Sequence, residues 1–179
     1  MSVSASLPGV EIRPATPADV PVILQLIRAL AEYERLAEHV TATEEVLQHS
    51  LFGPRPSAEA LLAFAPGTSG DPARPVGFAL FFENFSTFLG RPGMYLEDLF
   101  VVPEFRGRGA GRALFERLAQ IALDRGFSRL DWAVLDWNEP AIRFYQSLGA
   151  TPMADWTVNR LTGETLRALA AGTRNGNGS

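Results

Sequence analysis

The segment Arg106-Gly107-Arg108-Gly109-Ala110-Gly111 constrains the fold of this chain more than any other feature. It follows the strand-like run 94–102, and apolar residues at helical spacing begin directly after it. Glycine at alternate positions permits a left-handed backbone and lets a ligand approach the main chain closely. The unpaired N–H groups at the start of a helix, together with Arg106, Arg108 and Arg112, favour an anion such as a pyrophosphate. The sequence therefore predicts a strand, a Gly-rich anion-binding turn and a helix.

Three other interpretations of this turn compete on its residues alone. A Walker loop requires Gly-Lys-Ser/Thr, whereas all 16 basic residues of this chain are arginine. A dinucleotide-binding fingerprint requires G-x-G-x-x-G, whereas this segment has G-x-G-x-G. A tight strand-to-helix turn that carries surface arginines stays open as the purely structural interpretation.

The rest of the chain mixes strand and helix patterns without strict alternation of the two. Strands are predicted at residues 11–13, 61–65, 76–82, 94–102 and 130–135, with a weaker one at 153–158. Helices are predicted after Thr16, after a capping box at 41–44, at 111–125, from Asn138 to Leu148, and after Thr162. We therefore expect one mixed α/β (α+β) domain at residues 10–171, with a flexible leader at 1–9 and a disordered tail at 172–179.

Composition excludes several kinds of chemistry and partner. The chain has no cysteine and no lysine, which excludes disulfides, thiolate metal sites, a cysteine nucleophile and a Schiff-base lysine. His39 and His49 have no metal-ligand partners at useful spacing, so no metal site is predicted. A formal net charge of -4 disfavours nucleic acid as a partner. Since we find neither a membrane-length apolar run nor a signal peptide at residues 1–8, we expect a cytoplasmic protein with no membrane partner.

The Gly-rich turn resembles the Arg/Gln-x-x-Gly-x-Gly/Ala signature of the GNAT acetyltransferases, which holds the pyrophosphate of acetyl-CoA. Further blocks, in the same order along residues 11–171, resemble the diamine (spermidine/spermine) and thialysine acetyltransferases of that family. They are Ile12-Arg13-Pro14-Ala15-Thr16, Leu30-Ala31-Glu32-Tyr33-Glu34, Tyr95-Leu96-Glu97-Asp98, Val134-Leu135-Asp136-Trp137-Asn138-Glu139-Pro140 and Phe144-Tyr145.

This resemblance implies a fold and an activity. The fold is a GNAT-like domain with a twisted, mostly antiparallel central sheet flanked by helices, and acetyl-CoA bound in a cleft between splayed parallel strands. The implied activity is direct acetyl transfer from acetyl-CoA to a small primary amine, such as a polyamine, thialysine or a lysine-like amine, in a ternary complex. By the same analogy, the protein is expected to be a homodimer.

Glu97 is the predicted proton acceptor for the amine. It lies in the otherwise apolar run 95–100, where burial raises the pKa of a carboxyl group, and the equivalent glutamate of the family contacts the substrate amine. Strand alternation places Asp98 on the opposite face, so we rank it lower. The structural alternative for Glu97 is an acid that faces solvent or an arginine.

Tyr145 is the predicted proton donor, because it matches the tyrosine that the family places near the coenzyme sulfur. Its alternative is simple packing, as for most helical aromatic residues. The resemblance also implies coenzyme contacts from the main chain of Leu99, Phe100 and Val101, and from Asn138. Further implied contacts are Arg106, Gly107, Arg108, Gly109, Ala110, Gly111, Arg112, Pro140 and Ala141. On its residue type, Asn138 is also a good helix N-cap, and the two roles are compatible.

Tyr33 and Glu34 match family positions that contact the amine substrate, and Asp131 and Trp132 match others. Glu34, Glu97 and Asp131 are candidates for an acidic pocket that receives a second ammonium group. For Glu34, a solvated helix face is the alternative. After Gly149 the sequence departs from the family, since only Asp155-Trp156 remains of its acidic stretch. Asp155 is thus a substrate candidate, while polyamine specificity is less well supported.

Two other functions stay open. One is an acyl-CoA-binding sensor or interaction module without turnover, which intact Glu97 and Tyr145 argue against. The other is an acetyltransferase for protein N-termini or lysines, which needs an open groove rather than a small pocket walled by Tyr33 and Glu34.

Overall fold

The computed structural model describes residues 9–67 and 72–172. Nearly all of the predicted leader and tail therefore lies outside the described residues. The chain divides into two compact units, Met1–Ala133 and Val134–Ser179. In the part of the chain that the structure describes, no helix combines the length and the apolar character needed to cross a bilayer.

The first unit contains a five-stranded sheet in the order β1-β2-β3-β4-β5. Its strands are β1 (Glu11–Pro14), β2 (Glu59–Ala65), β3 (Arg74–Ser86), β4 (Arg91–Val101) and β5 (Leu130–Trp132). The first three pairings are antiparallel and the β4–β5 pairing is parallel, which confirms the predicted mixed, mostly antiparallel sheet.

The β3–β4 hairpin is longer than its sequence indicates. The predicted strands end at residue 82 and begin again at residue 94, but the cross-strand register continues to the pair Ser86 and Arg91. Phe85, Phe88 and Leu89 near the tip are largely exposed. The two strands therefore extend through residue types that favour turns, since residues 84–86 pair with residues 91–93 across the hairpin.

Helix α1 (Val20–Tyr33) begins at a network of hydrogen bonds around Asp19. The carboxylate of Asp19 accepts from the N–H and the hydroxyl of Thr16, each at 2.7 Å, as expected for the predicted capping box. It also accepts two bonds from the Arg13 guanidinium, both at 2.7 Å. Because Arg13 lies on β1, this ion pair fixes the start of the helix to the edge of the sheet.

Helix α2 (Glu44–Phe52) has a different cap from the one predicted. The capping box at 41–44 is wrong, since the hydroxyl of Thr43 accepts from the Val46 N–H at 3.3 Å. The helix therefore begins two residues later than a cap at Thr41 requires. Leu47 and Leu51 are buried, whereas Val46 is exposed.

The sheet is covered on both faces. One face packs against α1 and α2 through a core that includes Ile23, Leu24, Leu47, Leu62, Phe78 and Phe100. Alternate residues of the same strands, such as Leu61, Ala63 and Ala79, are also buried. Helix α3 (Ala110–Asp124) contacts β1 to β4 and buries Leu114, Phe115, Leu118 and Ala122. The strands therefore bury both sets of alternating side chains, which explains their nearly continuous apolar runs.

The second unit contains helices α4 (Glu139–Ser147) and α5 (Gly163–Ala170). The strand predicted at 153–158 is wrong. The Trp156 N–H donates to the Met153 carbonyl at 3.2 Å, which closes a turn, and Met153, Trp156 and Val158 stay exposed. Alternating apolar residues make a strand only when a neighbouring strand accepts their backbone groups. Thr162 precedes α5 as predicted, although its side chain makes no capping bond.

Candidate active site

The parallel pairing of β4 with β5 ends halfway along β4. Leu130–Trp132 lie opposite Met94–Leu96, and β4 then continues to Val101. Within residues 9–67 and 72–172, no strand pairs with this edge of β4 beyond Leu96. We call residues 97–101 on this side the unpaired edge.

Backbone hydrogen bonds show which β4 groups face the unpaired edge. The Met94 N–H donates to the Arg129 carbonyl just before β5, while the Val102 N–H donates to Val76 of β3, both at 2.9 Å. Because N–H directions alternate along a strand, the N–H groups of Leu99 and Val101 face the unpaired edge. The Phe100 N–H faces β3 instead. Of the three predicted main-chain coenzyme contacts, two are therefore oriented to bind a ligand.

A β-bulge interrupts β4 at Glu97. Phe81 pairs with Leu96 and Leu80 pairs with Asp98, so Glu97 is an extra residue without a partner on β3. Tyr95 pairs with Phe82, and Asp98 pairs with Leu80, two residues away from Phe82 on β3. The bulge therefore places Asp98 on the same face of the sheet as Tyr95. The regular strand alternation on which the placement of Asp98 opposite Glu97 depended is therefore interrupted at this point.

The two neighbouring carboxylates have different environments. Glu97 is exposed, contrary to the expected burial, whereas Asp98 is half-buried. Burial, followed by the charges of Glu97 and Glu34, raises the pKa of the Asp98 carboxyl to about 6. Burial also raises the pKa of Glu34, at the end of α1. These three residues, Glu34, Glu97 and Asp98, form an acidic cluster on the first unit.

Asp131 does not add a free charge to this cluster. Its Oδ2 atom accepts from Arg129 Nε at 2.7 Å and from Asn84 Nδ2 at 3.0 Å. It lies opposite Tyr95, whose pKa is raised by burial and then by the charges of Glu97, Asp131 and Asp98. The acidic pocket of Glu34, Glu97 and Asp131 stays a prediction, in which the Asp131 carboxylate is already bonded to Arg129 and Asn84.

Trp132, a predicted substrate residue, contacts a different part of the fold. Its ring packs edge-on against Phe115 of α3, with the ring centroids 5.1 Å apart. In the β4–β5 register it pairs with Leu96, so it projects to the opposite face from Tyr95 and Asp131. This packing opposes a substrate contact from Trp132.

The Gly-rich turn has the backbone that the sequence predicts. Gly107 and Gly109 have φ angles of 72° and 88°, in the left-handed region that favours glycine. The first bond at this end of α3 runs from the Ala113 N–H to the Gly109 carbonyl at 2.9 Å. The N–H groups of Ala110, Gly111 and Arg112 precede it and have no carbonyl one turn back to bond. The turn and helix start therefore offer several donors and a positive helix end to an anion.

The arginines of this turn differ in their contacts. Arg106 donates from Nε to the Val101 carbonyl at 2.9 Å, and its guanidinium lies 4.2 Å from the centre of the Tyr33 ring. Arg108 lies over Phe105 at 5.2 Å, and Arg112 pairs with Glu116 at 3.0 Å. Arg106 therefore joins the end of β4, the Gly-rich turn and α1. Nothing in the sequence indicated this link, because stacking partners on separate elements leave no local pattern.

The predicted site residues of the second unit lie on or near α4. Asn138 Oδ1 accepts from the Ala141 N–H at 3.4 Å, which confirms Asn138 as the N-cap, and Pro140 lies in the first turn. Tyr145 is half-buried, and its ring centroid lies 5.5 Å from that of Phe144. Asp155 is exposed in the irregular segment before α5. The coenzyme and substrate roles of these residues stay predictions.

Among the histidine, aspartate and glutamate residues of the described part of the chain, no group of three or more is arranged to hold a metal ion. The features that the described residues offer to a ligand are thus the acidic cluster, two strand N–H groups and the Gly-rich turn.

Comparison with known proteins places this geometry in a family. The Acetyltransferase (GNAT) family model matches residues 24–150. Thialysine N-epsilon-acetyltransferase of Bos taurus is 43% identical over 166 residues, covering 90% of this chain and 97% of that protein. L-ornithine N5-acetyltransferase of Arabidopsis thaliana is 34% identical, covering 88% of this chain and 86% of that protein. An integron cassette protein from the mobile metagenome of V. cholerae has a TM-score of 0.72 at 28% identity, covering 90% of this chain and 98% of that one. The chain therefore belongs to the GNAT acetyltransferase family.

Proposed function

We propose that this protein transfers the acetyl group of acetyl-CoA directly to a small primary amine of the thialysine, lysine, ornithine or polyamine type. The acidic cluster beside the unpaired edge of β4 is the observation that carries the proposal. A cationic amine is attracted to Glu34, Glu97 and Asp98, while the edge offers N–H donors to the acyl group. The bovine and plant relatives, named for thialysine and ornithine, support this substrate class.

The coenzyme is proposed to follow the unpaired edge toward the Gly-rich turn. The N–H groups of Leu99 and Val101 would bond the acetyl-pantetheine arm, and one of them would stabilise the negative oxygen of the tetrahedral intermediate. The N–H groups of residues 107–111 and the charge of Arg108 would hold the diphosphate. Arg106 supports this arrangement by fixing the turn to Val101. Asn138, Pro140 and Ala141 stay proposed contacts of the coenzyme.

The reaction requires a balanced transfer of protons. The substrate ammonium first loses a proton to a carboxylate of the acidic cluster, for which Glu97 is the sequence-based candidate. The amine nitrogen then attacks the thioester carbon, and the C–S bond breaks as the amide forms. We propose that the Tyr145 hydroxyl donates a proton to the departing thiolate. The second proton of the nitrogen then restores the Tyr145 hydroxyl. The net reaction releases one proton to solvent.

An amine panel tests the proposal. Purified protein is mixed with acetyl-CoA and thialysine, lysine, ornithine, putrescine or spermidine, and thiol release is followed together with the mass of the acetylated amine. We expect turnover with at least one of these amines. S-acetylpantetheine, which lacks the diphosphate, is the matched control and should show a strongly raised KM. If folded protein binds the coenzyme in calorimetry but acetylates none of the amines, the chain acts as a sensor and the proposal is wrong.

Cytoplasmic location and a homodimeric state stay predictions from the sequence. Size-exclusion chromatography with light scattering measures the second directly.

A further inference from the structure

We propose that Arg106 is a positioning residue, whose guanidinium holds the end of α1, with Tyr33 and Glu34, beside the start of the Gly-rich turn. This inference rests on the amine acetylation proposed above, because Tyr33 and Glu34 are the expected contacts of the amine. It adds to the coenzyme contact expected of Arg106 an effect on the binding of the amine.

The Arg106 side chain contacts two structural elements through different atoms. Its Nε atom donates to the Val101 carbonyl, at the end of β4. The guanidinium carbon, one bond further along the side chain, lies 4.2 Å from the centre of the Tyr33 ring and 5.6 Å from that of Phe100. Those two rings are themselves neighbours, with centroids 6.4 Å apart. Since Tyr33 is the last residue of α1, one side chain bridges the end of the strand and the end of the helix.

The positive charge of Arg106 acts on the end of α1. Among the residues that the structure describes, no carboxylate forms a salt bridge with Arg106. A guanidinium over an aromatic face is attracted by the negative face of the ring. Tyr33 is also at the C-terminus of α1, the end at which the helix dipole favours a cation. Both effects attract the last turn of the helix to Arg106.

The backbone at the end of α1 makes such a contact valuable. The Leu36 N–H donates to the Ala31 carbonyl at 2.8 Å, which is the longer bond of a Schellman motif. This motif places one residue in the left-handed region, where glycine is preferred, but the chain has Arg35 there with a φ of 61°. Among the described residues, Arg35 is the one non-glycine residue with a positive φ. A contact from outside the helix therefore stabilises a turn that its own sequence disfavours.

Two possible roles of Arg106 predict opposite effects on the amine. The amine is a cation, so an arginine that acted only through its charge would weaken amine binding, and its removal would lower the amine KM. An arginine that positions α1 has the reverse effect, because Tyr33 and Glu34 lie on the same turn and are displaced together when the guanidinium is lost. The sign of the change in the amine KM therefore distinguishes a positioning role from a purely electrostatic one.

Two substitutions separate the two contacts of Arg106. Glutamine has a nitrogen donor at the position of the arginine Nε atom, so Arg106→Gln retains a donor for the Val101 carbonyl and loses the guanidinium. Lysine has its charge at the position of the guanidinium carbon and no donor at the Nε position, so Arg106→Lys retains a cation near Tyr33 and loses the bond to Val101. For each variant, kcat and both KM values are measured with acetyl-CoA and the best amine of the panel. Arg117→Gln, an exposed change in α3, is the matched control and should behave as the wild type.

We expect Arg106→Gln to raise the amine KM roughly fivefold, the effect of losing one cation–π contact, and Arg106→Lys to retain most of the amine affinity. Arg108→Gln removes a charge from the same turn, but Arg108 lies over Phe105, so its amine KM should not rise. Tyr33→Leu should raise the amine KM by itself. Arg106→Gln added to Tyr33→Leu should raise it no further, because the two changes remove one contact.

Amide NMR of the unliganded variants tests the position of α1 without the reaction. The signals of residues 33–36 should shift in Arg106→Gln and should shift much less in Arg106→Lys. The signals of the opposite end of the helix, at residues 20–23, should stay unchanged in both variants.

An unchanged or lowered amine KM in Arg106→Gln would overturn the inference, as would unchanged signals at residues 33–36. Arg106→Lys covers the case of a glutamine variant that does not fold, since a fivefold rise in its amine KM would contradict a role of the cation at Tyr33. These kinetic outcomes require an active wild-type enzyme, so they leave the proposed function intact. A wild-type protein that acetylates no amine of the panel would instead overturn the proposed function and this inference together.

Discussion

Replacement of Asp98 by asparagine should stabilise the fold at neutral and basic pH. The pKa of this carboxyl is about 6 in the folded protein, against 3.8 for the ordinary group. The folded state therefore binds the proton more tightly than the unfolded chain does. Stability contributed by the protonated group is fully present below about pH 4 and is lost as the pH rises through about 6.

The magnitude follows from the difference between the two pKa values. About two pKa units correspond to about 3 kcal/mol of cost for keeping Asp98 ionised inside the fold. An asparagine removes this cost, but its half-buried amide with unsatisfied hydrogen bonds lowers the free energy of unfolding by about 1 kcal/mol. We therefore expect a gain of about 2 kcal/mol at about pH 8, or roughly 4–8 °C in Tm for a chain of this size.

The assay is urea unfolding of the wild type and Asp98→Asn at about pH 4 and about pH 8. The quantity of interest is the free energy of unfolding of the variant minus that of the wild type, compared between the two pH values, because titrations that do not depend on Asp98 cancel in it. Asp124→Asn, an exposed change at the end of α3, serves as the control. A variant that is equally destabilised at both pH values would refute the reasoning, because it would show that Asp98 acts only through packing.

Three further predictions concern other parts of the molecule. Arg13, with Thr16, lowers the pKa of the Asp19 carboxyl. Asp19→Asn should therefore lower the free energy of unfolding by about 2 kcal/mol above about pH 4. This loss, measured by urea unfolding, should become smaller as the pH falls. Gly109→Ala places a side chain at a left-handed φ of 88°, so we expect the free energy of unfolding to fall by about 1 kcal/mol. In steady-state kinetics the coenzyme KM should rise about tenfold, as an order of magnitude, while the amine KM stays unchanged. Tyr145→Phe should lower kcat about 100-fold with both KM values retained, and a wild-type kcat would remove Tyr145 from the mechanism.

Much of the fold was predictable because its signals are local. The apolar run of β4, the alternating glycines after it and the helical spacing of Leu114 and Leu118 together specify a strand, a turn and a helix. The prediction failed at residues 153–158, where an alternating pattern has no strand partner. The capping box of α2 failed because Thr41 and Thr43 are both good N-cap residues, so the residue types alone do not distinguish the two starts, and Thr43 is the observed cap.

The local structure around the proposed site was predictable, whereas its tertiary contacts were not. The sequence predicted the strand that carries Glu97 and the left-handed Gly-rich turn before a helix, and the structure has both. The bulge at Glu97 has no sequence signature, so the regular alternation expected between Glu97 and Asp98 does not hold there. The stacking of Arg106 on Tyr33 and the pairing of Asp131 with Arg129 also depend on tertiary contacts. Such details decide which carboxylate carries a shifted pKa, and sequence patterns alone do not contain them.

The central claim is that coenzyme A lies along the unpaired edge of β4 with its diphosphate at the Gly-rich turn. Amide NMR of the labelled protein during titration with coenzyme A measures this directly. We expect large shifts for the N–H signals of Leu99, Val101 and the turn residues 107–111, and a smaller one for Phe100, whose N–H faces β3. If coenzyme A binds while the Leu99, Val101 and turn signals stay unchanged, the claim is wrong.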